Sequence, residues 1–291
     1  GEVIAYLERY ESEFNLPVQT NSRVRSLTVQ DGRFLLDLGE RRIQAKRVVV
    51  ATGPFQVPRT PAWAGSLAPD VFQIHSSDYR RPSEIPAGTV LVVGGGNTGY
   101  QIAKELTVTH DVHLAVGSRQ TPLPQRLLGR DLFWWLDKLG LLEKSVDSRI
   151  GRRARDRGDD TLIGSNPRQA RRHGVQLRPR AVKAEGGTIT FEDGSTLSPA
   201  AVLWATGYRT DHSWIGLPVV ADDGTARHRR GVSDVPGLYF LGLPWQYTRG
   251  SALLGWVKDD AQFIAEQIAA NEESTEGTAA GGTAAPTSER I

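Results

Sequence analysis

Residues 89–99, Thr89-Val-Leu-Val-Val-Gly-Gly-Gly-Asn-Thr-Gly99, constrain this chain more than any other stretch. Val90 to Val93 is an apolar, mostly β-branched run that reads as a short strand buried on both faces. It leads into Gly94-x-Gly96-x-x-Gly99, and a helical pattern follows with Ile102, Ala103 and Leu106 on one face. Strand, glycine loop and helix in that order make a dinucleotide fingerprint. The first glycine allows a tight turn, the second lets a pyrophosphate approach the backbone, and the third lets the helix pack on the strand. The helix start adds free N–H groups and a positive dipole end for phosphate. Glycine-rich turns are common; the flanking strand and helix give this one its meaning.

The chain has 291 residues, room for one large or two moderate domains. Its net charge of +2 is no nucleic-acid signature. The arginine-rich runs Arg152 to Arg157 and Arg168 to Arg172 read as solvated loops. Cysteine is absent, which removes disulfides, thiolate metal sites and any dithiol relay. The six histidines lack metal-ligand spacing. No apolar run approaches the ~18 residues of a membrane span, and no secretory leader is visible. The reading is a cytoplasmic protein with no nucleic-acid partner and no metal.

In chain order, Glu2 to Phe14 reads as an amphipathic helix with Val3, Ile4, Leu7 and Phe14 apolar. A β-meander follows: Val18-Gln-Thr, Val24 to Val29, a hairpin turn at Asp31-Gly32, and Phe34 to Leu38. Val48-Val-Val-Ala-Thr-Gly53 then forms an apolar strand. The same sentence recurs later. Gly174-Val-Gln-Leu starts a strand, Gly186-Gly187 and Asp193-Gly194 turn, and Val202-Leu-Trp-Ala-Thr-Gly207 closes the unit. Residues 17–53 and 174–207 read as two copies of one module. By parallel, the first copy calls for its own strand, glycine loop and helix ahead of Glu2. With no methionine anywhere and Gly1 at the start, the expectation is a chain that begins partway through its first domain.

Residues 54–88 are rich in proline and read as a linker, in which His75 is expected to tie down a loop. After the strand Val112 to Val116, an NAD site would place a carboxylate about 20 residues past the fingerprint. Val116-Gly117-Ser118-Arg119 stand there instead, so the 2′-phosphate of NADP is the better fit, with Arg119 as its partner. Residues 120–173 read as a helical insert. In it Asp131 to Gly140 forms a short helix whose Phe133, Trp134 and Trp135 are expected in packing. Asp131 and Asp137 share no face and make no catalytic pair. A strand at Leu238 to Leu241 and a helix to about Ala270 close the fold; the tail from 271 to 291 is expected to be disordered.

Two modules ending in Ala-Thr-Gly and a closing strand–glycine–helix resemble the flavoproteins with two dinucleotide-binding domains. Val71 to Tyr79, Gly94 to Gly99 and Gly242 to Gly255 are similar to the flavin-containing monooxygenases, and most of all to CzcO-type bacterial oxidoreductases related to plant indole-pyruvate monooxygenases. The resemblance implies an α/β fold of two Rossmann-like, three-layer domains with β-meander inserts, the first incomplete at its N-terminus. Residues 1–60 would belong to the FAD domain, 61–205 to the NADP domain, and 206–270 to the FAD domain again. The implied activity transfers hydride from NADPH to FAD and then oxygen from O2 to a small organic substrate. Gly94, Gly96, Asn97, Thr98 and Gly99 would hold the pyrophosphate of NADPH, and Ser118 and Arg119 its 2′-phosphate. Thr52-Gly53 and Thr206-Gly207 would mark the crossings between domains, and Leu254-Gly255 would turn amides toward the flavin. Trp245, Tyr247 and Arg249 are further candidates for the flavin face.

Three positions depart from that pattern. No FAD fingerprint is present, Ile74 stands where the monooxygenase motif has glycine, and Gly242-Leu243 replaces a common Gly-Asp. The rival reading is a non-catalytic NADP-binding module.

Overall fold

The computed structural model describes residues 1–118, 121–156 and 161–280. The chain opens with α1 (Glu2–Glu13) and an antiparallel meander of β1 (Ser26–Gln30), β2 (Arg33–Asp37) and β3 (Arg42–Ala45), followed by β4 (Val48–Val50) and β5 (Val57–Pro58). Next come β6 (Phe72–His75), β7 (Thr89–Val93), α2 (Asn97–Leu106) and β8 (Asp111–Ala115). An insert carries β9 (Thr121–Leu123), β10 (Arg126–Leu127), β11 (Arg130–Asp131), α3 (Leu132–Lys138), α4 (Arg149–Asp156), β12 (Thr161–Ile163) and α5 (Pro167–Arg172). Then β13 (Gln176–Arg178) precedes a second meander of β14 (Ala181–Glu185), β15 (Thr188–Phe191) and β16 (Thr196–Leu197). β17 (Ala201–Trp204), β18 (Tyr208–Arg209), β19 (Leu238–Phe240) and α6 (Val257–Ala280) complete it.

The mixed α/β fold is the one expected. Its centre is a parallel sheet in the order β13-β8-β7-β17-β6. Alternation along β7 explains why that strand is apolar throughout. Val90 and Val92 face one core with Ile102, Ala103 and Leu106 of α2, while Leu91 and Val93 face another with Ile189 and Phe191 of the second meander. Each side chain from Val90 to Val92 is fully buried, so each stabilises the fold by about 1.5–3 kcal/mol. A third core joins the first meander to the parallel pair β4–β19 through Leu27, Phe34, Val50, Leu238 and Phe240. The hairpin at Asp31-Gly32 has both residues at positive φ, 51° and 71°, as a tight two-residue turn requires.

Several local expectations need correction. Gln176–Arg178 joins the main sheet beside β8, so the second meander starts only at Ala181. Val18 to Thr20 form no strand. The proline-rich stretch is no mere linker, since it contributes the edge strand β6 to the sheet. Of the arginine-rich runs, Arg152 to Asp156 lies on α4 and Arg168 to Arg172 on α5, because their charges project into solvent without opposing helix formation, while Arg157 lies outside the described residues. Trp134 is 41% exposed and Phe133 is only half-buried, so of this helix Leu132 alone is fully in a core. Helix α1 buries none of its residues. Helix α6 runs through Ala280, beyond the boundary at Asn271. Among the described residues, no helix is long and apolar enough to cross a membrane.

Candidate dinucleotide site and domain crossings

The glycine loop is shaped by what its missing side chains permit. Gly94, at φ 127°, lies where a Cβ would sit 2.2 Å from the Ala205 carbonyl oxygen. A Cβ on Gly99 would sit 1.9 Å from the Gly94 carbonyl oxygen. These two glycines thus let the loop, α2 and the second Ala-Thr-Gly close on one another. Gly96 differs: a Cβ there would meet nothing within 4 Å. It is the N-cap of α2, in extended conformation, and no side chain caps the helix. The first-turn amides of such a helix have no carbonyl one turn back, and they carry its positive dipole end. Open space beside uncapped amides fits a pyrophosphate.

The remaining NADPH candidates sort differently. Oδ1 of Asn97 accepts the Ile163 N–H of β12 at 2.8 Å, so that side chain anchors the insert over the loop. Thr98 is exposed at the helix start, and Ser118 is exposed just past the end of β8. Arg119 lies outside the described residues.

The two Ala-Thr-Gly endings come together. β5 and β18 pair antiparallel, Tyr208 opposite Pro58 and Arg209 opposite Val57. The Gly207 carbonyl oxygen accepts from the Arg59 N–H at 3.0 Å and from Nε2 of His75 at 3.1 Å. The Thr206 hydroxyl donates to the Arg59 carbonyl oxygen. Gln56 closes the other side: its Nε2 donates to Thr52 Oγ1 and to the Gly53 carbonyl oxygen at 2.9 and 2.7 Å, while its Oε1 accepts from the Asp211 N–H at 2.8 Å. Asp211 is held below the usual carboxylate range, first by the Ser213 hydroxyl. His75 therefore ties down the crossing, as expected. Gln56 was missed in the sequence, since a lone exposed-looking glutamine carries no pattern.

At the ends of the parallel pair β4–β19, Gly53 and Gly242 have φ of 63° and 79°, and a Cβ on either would meet nothing within 4 Å. The loop that follows is built around Ser251, whose Oγ accepts the N–H of Tyr247 and of Thr248 at 3.1 and 3.0 Å. Arg249 stacks over Trp245, 5.7 Å from the ring centroid. The insert clasps this loop: the Val146 N–H donates to the Tyr247 carbonyl at 2.7 Å, Gly250 N–H to the Leu142 carbonyl at 3.2 Å, and Trp256 Nε1 to Asp137 at 2.9 Å. Leu254 and Gly255 lie in the turn just before α6 rather than inside it, Leu254 is 66% exposed, and their amides make no backbone hydrogen bond among the described residues. Free amides and open glycines fit a flat polar ring laid against the backbone. Asp131, by contrast, caps α3 by accepting from the Phe133 N–H, which confirms it as structural.

Comparison with known proteins finds relatives in sequence and in fold. The family model of the pyridine nucleotide-disulphide oxidoreductases matches residues 1–126. The CzcO-like oxidoreductase of Geobacillus kaustophilus is 43% identical over 269 residues, spanning 92% of this chain and 77% of that protein. A flavin-containing monooxygenase from Stenotrophomonas maltophilia superposes with a TM-score of 0.75 at 25% identity, over 93% of this chain and 76% of the other. A Kutzneria ornithine N-hydroxylase, in a structure with reduced FAD, NADP+ and L-ornithine, shares the fold with a TM-score of 0.70 at 20% identity, over 93% and 77%.

Proposed function

The chain belongs to the CzcO-like oxidoreductases, which are flavoproteins of the flavin-containing monooxygenase type, and from that premise we propose that it is an NADPH-dependent monooxygenase with two dinucleotide-binding domains. Residues 61–205 form the NADP domain, and 1–60 with 206–270 contribute to the FAD domain. FAD held beside Thr52-Gly53, Gly242 and Leu254-Gly255 would supply the hydride-accepting and oxygen-transferring chemistry that joins NADPH, O2 and a small organic substrate. The observation that carries this reading is the open face of Gly96 at the uncapped start of α2, between two glycines that admit no side chain.

The chain's own residues hold and orient. Backbone amides of Gly96 to Gly99 receive the pyrophosphate, and Ser118 and Arg119 take the 2′-phosphate. Asn97 serves through its backbone, because its side chain is engaged with Ile163. Thr52-Gly53 and Thr206-Gly207, joined through Gln56, Arg59 and His75, keep the nicotinamide and flavin sides in register. The free amides at Leu254 and Gly255 favour negative charge on a reduced flavin. Of the flavin-face candidates, Tyr247 is committed to stacking on Arg230, at 4.0 Å, which leaves Trp245 and Arg249. A disulfide reductase on the same scaffold would need a cysteine pair that this sequence lacks.

An absorbance spectrum of the purified chain, before and after added FAD, tests the reading together with an assay of NADPH oxidation. A flavin band and O2-dependent NADPH consumption are expected. A chain that stays colourless with FAD yet still binds NADPH is the binding module instead.

A further inference from the structure

We infer that Arg180 is a second arginine for the 2′-phosphate of NADPH and helps set the choice of NADPH over NADH. The inference rests on the reading of the glycine loop as an NADP site, and it adds a residue from a distant strand.

Strand register places Arg180. β8 and β13 run parallel with Ala115 opposite Arg178, and the Val116 N–H donates to the Arg178 carbonyl oxygen at 3.0 Å. Two residues past that pair, Gly117 and Arg180 leave the sheet side by side. They do so at the carboxyl end of parallel strands, the end at which open α/β sheets bind ligands. The glycine loop leaves from the same end. The Gly94 N–H donates to the Ala115 carbonyl oxygen at 3.0 Å, and a Cβ on Gly95 would sit 2.7 Å from Cγ1 of Val116.

The contact with Gly117 fixes the guanidinium. Nη2 of Arg180 donates to the Gly117 carbonyl oxygen at 2.5 Å. A Cβ on Gly117 would lie 3.3 Å from Cζ of Arg180 and 3.4 Å from its Nε. The guanidinium therefore covers the backbone where a side chain at 117 would begin, and Ser118, exposed, is next in the chain. In a dinucleotide-binding unit, the residues just past the second strand face the 2′ position of the adenosine ribose.

The other donors of Arg180 stay available. Its side chain is exposed, its Nε and Nη1 have no hydrogen-bond partner among the described residues, and no described carboxylate pairs with it. Arg178 on the same strand shows the contrast. Its Nε donates to Nδ1 of the buried His113 at 3.0 Å, and its guanidinium lies 5.8 Å from the Phe191 ring centroid. A permanently charged, planar fork of N–H groups suits a phosphate. A ribose hydroxyl calls for a carboxylate at this place, and Ala115-Val-Gly-Ser118 contains none.

Isothermal titration of the full chain with NADPH, NADH, adenosine 2′,5′-bisphosphate and adenosine 5′-phosphate tests the inference. Arg180→Gln keeps a donor for the Gly117 carbonyl and removes the charge, and at an exposed position it should melt as the parent does. It should weaken NADPH and the bisphosphate about tenfold, and NADH and the monophosphate less than about twofold. Arg180→Lys, with the charge but without the fork, should fall between parent and Arg180→Gln. Bisphosphate binding untouched by Arg180→Gln overturns the inference. So do equal losses for NADPH and NADH, the mark of a guanidinium stacked on adenine. A parent chain that favours neither NADPH over NADH nor the bisphosphate over the monophosphate overturns the NADP reading itself, and the inference with it. A parent with both preferences and an unaffected Arg180→Gln leaves that reading standing and removes Arg180 alone.

Discussion

Nε2 of His75 donates to the carbonyl oxygen of Gly207 at 3.1 Å, across 132 positions of sequence. Nδ1 of the same ring accepts the Ser77 N–H at 3.1 Å, so the tautomer is set by the fold. His75 ends the edge strand of the parallel sheet, and Gly207 is where the chain leaves that sheet. His75→Phe keeps the ring contact with Tyr208 but removes the donor. A urea melt should show a loss of about 1 kcal/mol, the worth of one hydrogen bond. An unchanged midpoint would mean that Arg59 holds the crossing alone.

The glycine loop makes opposite forecasts for neighbouring glycines. Gly99→Ala drives a methyl into the Gly94 carbonyl and should destabilise the fold by about 1–3 kcal/mol, since neither backbone can yield freely. Gly96→Ala meets open space and should cost less than about 1 kcal/mol. Yet it should weaken NADPH by about 1.4 kcal/mol or more, tenfold in Kd, because the methyl occupies the ligand's approach. Denaturant melts and NADPH fluorescence titrations of both variants separate the two effects.

Arg119→Ala should weaken NADPH by about 1–3 kcal/mol and leave NADH nearly unchanged. Equal losses for both cofactors would refute the contact with the 2′-phosphate.

Asp260 has a side chain 4% exposed and lies 3.4 Å from Nε of Arg230. Asp260→Asn strips the charge from a buried partner while the guanidinium stays between its two rings. Because Arg230 is part-exposed, the expected cost is about 1–3 kcal/mol, below that of a wholly buried pair. Thermal melts check it, and a compensating Arg230→Leu in the double variant should recover part of the loss.

Stability should also fall on mild acidification. His113 and His228 are both pushed below the ordinary histidine pKa, first by burial. The unfolded chain then takes up protons that the native chain refuses, so stability rises with pH. The contribution is present above an ordinary pKa of about 6.5 and is lost as pH falls through it toward the native values. Melts at pH 7.5 and 5.5 should show the drop, smaller in His113→Leu. The depressed carboxylates, Asp131 and Asp211 among them, act only at lower pH and do not interfere.

What the sequence disclosed were features written in local pattern. The glycine loop, the helix after it, the Asp31-Gly32 turn and both Ala-Thr-Gly endings all announce themselves within a few residues. Gln176–Arg178 deceived because an apolar run does not say which neighbour it will pair with; β8 recruits it from 63 residues away, Gln176 opposite His113. Gln56 and Asp260 were invisible for a related reason. Each reaches a partner distant in sequence, Asp211 and Arg230, and a polar residue placed by tertiary packing looks like any surface one beforehand. Leu254-Gly255 stand in a turn before Val257, a break that the apolar pattern of the following helix does not reveal.

The insert touches both ends of the proposed machinery: Ile163 bonds Asn97 beside the glycine loop, and Val146 bonds Tyr247 in the loop after β19. Thermodynamic linkage turns that contact into a balance sheet with equal columns. Whatever a ligand at α2 does to the free energy of the 245–250 loop, a ligand at that loop must do in return to affinity at α2. Cutting the Asn97 bond alone should therefore shift both affinities toward independence, and by the same factor.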